Sequence, residues 1–449
     1  MARLFGTDGV RGVANTELDS ALAFKLGQAG ALVLTENCKT APRILVGRDT
    51  RISGDMLEAA LSAGFCSVGA QVVSVGIIPT PAVAYLVRKY KMDAGVVISA
   101  SHNSMEYNGI KFFGGEGYKL SDDTEDKIEE YVTGKKEMPP LKSGAALGKI
   151  TRTHTGLRDY VDFVKSTANT NFAGLKIAVD CANGASYESV KLVLKELGAD
   201  VEIINNIPNG ININDNCGST HMDGICKFTK EHNCDLGLAL DGDADRLLAV
   251  DENGNPVDGD KIMAVCASYL KKHGKLSGNK VVATVMSNLG FFNALDSLGI
   301  GYEQTKVGDR YVLENMLKNG YSIGGEQSGH IIFLEHNTTG DGLVTAVQLI
   351  CALKESQKKM SDFVSVVKIL PQVLVNAKIK NEYKTTYMNV KEIADAIENI
   401  ESKFNGSGRV LIRPSGTEPL VRVMIEGTDI DELNDAAHSL ANLIEEKLG

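Results

Sequence analysis

The sequence predicts an α/β protein built from three similar α/β domains and a smaller C-terminal α+β domain. Three observations lead there. Short, continuous apolar runs alternate with stretches of helical period, which suits a parallel sheet covered by helices on both faces. The alternation restarts after a polar, Lys-rich stretch at Thr133–His154. Beyond Leu370-Pro371 its character changes. The 449 residues allow about three domains at ~150 residues each, and long chains bury several separate cores.

The elements follow in order. Arg43–Gly47 reads as a strand, Gly54–Val68 as a helix, Gln71–Val75 as a strand, Pro79–Lys91 as a helix and Asp93–Ser99 as a strand. The second round gives strand Leu175–Asp180, helix Ser186–Leu197, strand Val201–Ile204, helix Asp223–His232 and strand Asp235–Leu240. The third gives helices over Asp260–His273, Asn288–Leu298 and Asp309–Lys318, with strands at Lys280–Val285, Tyr302–Gln304 and Tyr321–Gly324. In the tail, Leu370–Lys380, Arg409–Arg413 and Leu420–Glu426 read as strands, and Val390–Phe404 and Asp429–Leu448 as helices. In the last helix Leu433, Ala436, Ala437, Leu440, Leu443 and Ile444 share one face.

Composition excludes several function classes. The formal net charge of −10 argues against binding nucleic acid or an acidic lipid surface. The uncharged stretch between Glu58 and Arg88 is broken by Gly64, Gly69, Gln71, Gly76, Pro79 and Pro81, so it reads as core and not as a membrane span. The opening residues are too polar for a secretory signal. The eight cysteines are scattered, with no Cys-x-x-Cys, as in a reduced, cytoplasmic protein. Every Gly-Lys is followed by Lys, Ile or Leu, so a P-loop is absent, and so is Gly-x-Gly-x-x-Gly.

Four clusters could carry chemistry. Ser99-Ala100-Ser101-His102-Asn103 follows an apolar strand, where ligands bind in open α/β sheets. It reads either as a helix cap or as a nucleophilic Ser101 with Lys111 ten residues on as charge partner or proton carrier. Asp241-Gly242-Asp243-Ala244-Asp245-Arg246 puts three carboxylates at alternating positions after a strand, a density that asks for a hard cation such as Mg²⁺. An EF-hand is the rival, since Glu252 falls at its twelfth position. Arg246 stands where that loop needs Gly, and the flanks are strands. Gly324–His330 is a Gly-rich loop with short polar side chains, suited to sugar hydroxyls or merely to turning the chain. Arg413-Pro414-Ser415-Gly416-Thr417-Glu418-Pro419, with Arg422 beyond, offers guanidinium and hydroxyl donors to a phosphate, or forms a tight turn.

Together, and in this order, these motifs resemble the α-D-phosphohexomutase superfamily, as does the opening Phe5-Gly6-Thr7-Asp8-Gly9-Val10-Arg11-Gly12. The likeness runs over essentially the whole chain. Asn212-Ile213-Asn214, Cys217–His221 and Val307-Gly308-Asp309-Arg310-Tyr311-Val312 point to its bacterial amino-sugar branch. One departure is Ser104, where Pro usually follows Ser-His-Asn.

The resemblance implies mixed sheets and four domains around a central cleft, divided at 1–153, 154–254, 255–367 and 368–449. It implies interconversion of glucosamine 6-phosphate and glucosamine 1-phosphate, through a phosphoserine and a glucosamine 1,6-bisphosphate intermediate, feeding UDP-N-acetylglucosamine and cell-wall synthesis. Action on glucose or mannose phosphates is the alternative, and a non-catalytic sugar-phosphate or Ca²⁺-binding protein the more distant one. By the same carry-over Ser101 is the phosphoserine, and Ser101, Asp241, Asp243 and Asp245 hold Mg²⁺. Lys111, Arg11 and His330 act in the phosphoryl transfer. His102, Asn103, Arg246, Gly308, Arg310, Glu326 and Ser328 contact substrate. Arg413, Ser415, Gly416, Thr417 and Arg422 hold the phosphate that is not transferred. The superfamily also suggests a homodimer.

Overall fold

The structure is a computed structural model that describes residues 3–6, 8–36, 38, 40–384, 386–415 and 418–449. Its residues group into two compact units. One runs to Met286 and takes in Ile300–Val366; the other comprises Ser287–Gly299 and Val367–Gly449.

The first unit contains three mixed sheets. Strands β1 (Val10–Val13), β2 (Arg43–Arg48), β3 (Gln71–Ile77), β4 (Ala94–Ile98), β5 (Tyr107–Gly114) and β6 (Ile150–Arg152) form the first, in the order β1-β5-β4-β2-β3-β6. β4, β2, β3 and β6 run parallel, while β5 is antiparallel to both β4 and β1. β7 (Lys176–Asp180), β8 (Asp200–Ile204), β9 (Leu236–Leu240), β10 (Leu247–Asp251) and β11 (Pro256–Val257) form the second, ordered β11-β10-β9-β7-β8. β12 (Lys280–Thr284), β13 (Gly301–Thr305), β14 (Ile323–Gly325) and β15 (Ile331–Phe333) form the third, ordered β13-β12-β14-β15. The inner strands β4 and β9 are buried at every position, which is why they read as unbroken apolar runs.

The expected elements form, with ends shifted by a few residues. The apolar-run reading suggested parallel sheets, but antiparallel strands complete each one: β1 and β5, β10 and β11, and β15. Helices at Ser20–Leu34, Asp122–Val132, Gly156–Ser166 and Gly342–Ser356 were not anticipated. The polar stretch at 133–154 lies with the first sheet, since its β6 pairs with β3.

The second unit is an antiparallel sheet of β16 (Gln372–Lys378), β18 (Leu420–Glu426) and β17 (Arg409–Pro414), with helices Lys391–Phe404 and Ile430–Leu448. Leu433, Ala437, Leu440 and Ile444 of the last helix are buried in its core. The helix Leu289–Ser297 belongs here. Buried Glu426 accepts from Asn288 Nδ2 at 3.1 Å, from the Leu289 N–H at 3.1 Å and from Arg409 Nε at 2.6 Å. No helix among the described residues is long and apolar enough to cross a membrane.

Candidate active site

Strand ends bring the first two clusters together. β4 leads into the Ser99–Asn103 turn, and β9 leads into Asp241–Arg246. Ser101 is buried with φ +52°, and its hydroxyl donates to Asp241 Oδ2 at 2.6 Å. A side chain in the left-handed region costs of order 1 kcal/mol and persists only where surroundings enforce it.

Asp241, Asp243 and Asp245 are all buried, and one carboxylate oxygen from each lies within 4.8 Å of the others. Asp243 Oδ1 and Asp245 Oδ1 have no hydrogen-bond partner among the described residues. Burial, then the neighbouring carboxylates, pushes Asp241 and Asp245 above the usual aspartate range. Three buried carboxylates, two of them with an open oxygen, are unfavourable together without a further cation. The all-oxygen donor set fits a hard divalent ion such as Mg²⁺.

Lys111 reaches the same place from β5, where it lies opposite Val97 of β4. Its Nζ is 2.8 Å from Asp243 Oδ2 and 2.8 Å from Asp8 Oδ2. Burial disfavours this ammonium, but the carboxylates of Asp243, Asp8 and Asp245 outweigh it and raise the lysine above its ordinary value. Burial likewise opposes ionisation of Asp243, yet Lys111 and the Thr80 hydroxyl, 2.7 Å away, hold it below the usual range. Arg11, on β1, pairs with Asp8 and lies opposite Gly109. A Cβ on Gly109 would stand 2.5 Å from the Ser99 carbonyl oxygen and 3.1 Å from Arg11 Cγ, so only glycine fits.

The sugar-loop candidates join this group. The 326–330 loop connects β14 to β15, and Arg246 bridges to His330. His330 is 3% exposed, and neither ring nitrogen has a hydrogen-bond partner among the described residues. Its Nε2 lies 3.5 Å from Asp309 Oδ2 and 4.0 Å from Asp245 Oδ2. Glu326 Oε1 accepts from the Gly308 N–H at 3.0 Å, and Ser328 is exposed. His102 Nδ1 is 3.4 Å from Ser101 Oγ; burial, then Arg246 and Arg11, lower its pKa to about 4. Arg310 is already engaged, with Nη1 2.6 Å from Asp122 and Nε 3.0 Å from Glu314. A cavity of about 210 Å³ is lined by Asp8, Lys111, Lys119, Asp309, Arg310 and His330, among others.

Arg413 and Arg422 belong to the second unit and face each other across β17 and β18. Burial, then Arg422, lowers the pKa of Arg413. Like charges directly opposite are unfavourable in a sheet, and an anion between them removes the penalty. Buried Ser415 accepts from the Glu418 N–H at 3.2 Å. Gly416 and Thr417 lie outside the described residues.

Sequence reasoning missed Asp8, Lys119 and Asp309, which form one ion-pair chain: Lys119 Nζ is 2.6 Å from Asp8 Oδ1 and also contacts Asp309. Asp8 and Asp309 stood inside noted motifs without a role; Lys119 carried no local signal. Arg51 and Asn214 were also missed, although both reach the Ser101 loop.

Comparison with known proteins accords with this geometry. Models of the phosphoglucomutase/phosphomannomutase family match alpha/beta/alpha domain I at residues 2–138, domain II at 158–254, domain III at 258–369 and the C-terminal domain at 374–443. The chain belongs to this family. Among the family's curated members, the phosphoglucosamine mutase of Clostridium acetobutylicum is 61% identical over 447 residues, covering 100% of both chains. That of Ruminiclostridium cellulolyticum is 60% identical over 448 residues, again covering 100% of each. A phosphoglucomutase/phosphomannomutase family protein from Burkholderia thailandensis shares the fold, with TM-score 0.82 at 21% identity, covering 100% of this chain and 98% of that one. The N-acetylphosphoglucosamine mutase of Aspergillus fumigatus, solved with GlcNAc-6P and magnesium, has TM-score 0.72 at 17% identity, covering 99% and 96%. The phosphohexomutase fold therefore holds for this chain: three α/β domains with mixed sheets and a C-terminal domain with an antiparallel sheet.

Proposed function

We infer that this chain is a phosphoglucosamine mutase. It interconverts glucosamine 6-phosphate and glucosamine 1-phosphate by passing a phosphoryl group through Ser101, with glucosamine 1,6-bisphosphate as intermediate. The observation that carries the chemistry is the buried Ser101 hydroxyl held 2.6 Å from one member of a carboxylate triad, beside the Lys111 ammonium. The choice of sugar rests on the full-length likeness to phosphoglucosamine mutases.

Phosphoryl transfer needs mostly positioning and charge neutralisation. Asp241, Asp243 and Asp245, with a phosphate oxygen on Ser101, would hold Mg²⁺, which when bound supplies positive charge against the phosphoryl oxygens. The sugar hydroxyl takes the phosphoryl group from Ser101 and gives up its proton; Ser101 later recovers the other phosphoryl group. Two residues are placed to move that proton. Lys111 presents an ammonium, the form that returns a proton to an oxygen, while the ring nitrogens of His330 have no hydrogen-bond partner among the described residues. Arg11 and Arg246 add positive charge, and His102 and Asn103 sit beside the nucleophile. Glu326 and Ser328 take sugar hydroxyls, with Gly308 and Arg310 at the margin. Arg413, Ser415, Gly416, Thr417 and Arg422 take the phosphate that is not transferred, whichever end of the sugar bears it.

The small-molecule partners are sugar phosphates. A cytoplasmic homodimer is the form the family likeness supports, and light scattering reads the mass directly. The reading is tested by coupled assays with Mg²⁺ on the 6-phosphates of glucosamine, glucose and mannose. The highest kcat/KM on glucosamine 6-phosphate is expected. A higher value on glucose or mannose 6-phosphate would turn the assignment to that sugar.

A further inference from the structure

We propose that Arg51 and Asn214 are positioning residues that hold the Ser101 loop in its left-handed, transfer-ready conformation. The proposal rests on reading Ser101 as the phosphoryl carrier.

Arg51 is fully buried. A guanidinium has five N–H donors, and here each has an acceptor. Nε donates to Asp49 Oδ2 at 2.9 Å. Nη1 donates to the carbonyls of Ser104 and Tyr107, the latter at 3.0 Å. Nη2 donates to the carbonyls of Ser101 at 3.1 Å and Asn103 at 2.7 Å. One side chain thus gathers four carbonyls of the segment that runs from the nucleophile into β5.

Asn214 arrives from the second α/β domain. Its Nδ2 donates to the same two carbonyls, Ser101 at 2.9 Å and Asn103 at 2.9 Å. The two acceptors flanking His102 therefore each receive one bond from either side. The amide end is held too, since the Ser101 N–H donates to Ser99 Oγ at 3.0 Å. Ser99 Oγ in turn donates to Asp49 Oδ2 at 2.6 Å, the oxygen that anchors Arg51.

This arrangement accounts for the backbone at the nucleophile. Ser101 holds φ +52° although it is not glycine, and its carbonyl is fixed by donors from two domains. The Ser104 carbonyl, three residues on, is another that Arg51 holds. Arg51 and Asn214 line no part of the cavity beside Lys111 and His330, so loss of the clamp should fall first on the position of the reacting oxygen. Misplacing a reacting group by about 1 Å costs roughly a hundredfold in rate.

The test compares wild type with Asn214→Gly and Arg51→Lys. Glycine tolerates the left-handed φ of +57° at position 214 while removing the donors. Lysine keeps the charge beside Asp49 but cannot span all the carbonyls. Steady-state kinetics should show kcat down about tenfold to a hundredfold with KM for glucosamine 6-phosphate within about twofold. Stopped-flow transfer from the isolated phosphoenzyme should slow by the same factor. Circular dichroism at the assay temperature should match wild type. Wild-type kcat in both variants, or a rise in KM alone, would overturn the positioning role while leaving Ser101 as carrier. Wild type that takes up no phosphoryl group on Ser101 from glucosamine 1,6-bisphosphate and Mg²⁺ would overturn that reading, and the positioning role with it.

Discussion

Replacing Lys111 with Met removes the cation between Asp8 and Asp243 while keeping most of the side-chain volume. The parent geometry sets the magnitude. Nζ lies 2.8 Å from each carboxylate, with Lys111 and Asp243 buried. At an effective dielectric of about 20, one such pair is worth up to roughly 6 kcal/mol before desolvation is counted. Removing one partner of a buried pair costs about 3–5 kcal/mol. Asp8 keeps Lys119 and Arg11, so the loss falls mainly on Asp243, left with the Thr80 hydroxyl. We expect the variant to be about 3–5 kcal/mol less stable in EDTA. Mg²⁺ should restore part of that, because a divalent ion on the triad replaces the missing charge, and binding to the folded state adds stability. The assay is urea unfolding of parent and variant, with EDTA and with saturating Mg²⁺. The Mg²⁺-dependent gain should be larger in the variant, and its kcat should fall by about a hundredfold or more. Equal stability in EDTA, or an equal Mg²⁺ gain, would refute the claim that Lys111 balances these carboxylates.

Two further outcomes are expected. Glu125 lines the cavity, and burial lifts its pKa to about 7 against the pull of Arg3. A carboxyl raised in the folded state binds its proton more tightly there, so stability falls as pH rises from about 4.5 to about 7. Glu125→Gln should flatten that slope and be more stable than the parent at pH 8 by about 1–2 kcal/mol, after allowance for partial solvent screening, as urea midpoints across pH would show. Arg413→Ala relieves a like-charge pair across β17 and β18, so the second unit should be unchanged or firmer by roughly 0.2–1 kcal/mol in thermal unfolding. If Arg413 holds the phosphate as proposed, KM for the sugar phosphate should rise about tenfold or more.

The β/α alternation was legible because the inner strands are buried on both faces and therefore uniformly apolar. β5 was not. It carries Asn108, Gly109 and Lys111, which look like loop, yet all three are buried. Asn108 Nδ2 donates to Ser53 Oγ at 2.9 Å, and Lys111 meets its carboxylates. Buried polar side chains with partners inside the protein thus break the pattern that marks a strand. The helix Gly342–Ser356 escaped for the opposite reason. It is buried over nearly its whole length and has no polar face to give it a period. The helix Leu289–Ser297 was legible as a helix, but its place in the second unit was not, since that depends on Glu426 far along the chain.

In the site, the Asp triad was legible from its density alone. Arg51 and Asn214 were not, because their partners are backbone carbonyls, which any residue could supply. An arginine destined for full burial looks in sequence like one destined for the surface. Asp8, Lys119 and Asp309 needed the fold to bring positions 8, 119 and 309 within ion-pair distance.

The central claim is that Ser101 carries the phosphoryl group. Intact-mass measurement after incubation with glucosamine 1,6-bisphosphate and Mg²⁺ tests it most directly. Wild type should gain the mass of one phosphoryl group, mapped by peptide fragmentation to Ser101, and should exchange it with the phosphate of added isotope-labelled glucosamine 6-phosphate during turnover. Ser101→Ala should gain none and have no measurable mutase activity. A Ser101→Ala protein that still takes up the phosphoryl group, or still turns over glucosamine 6-phosphate at the wild-type rate, would contradict the account.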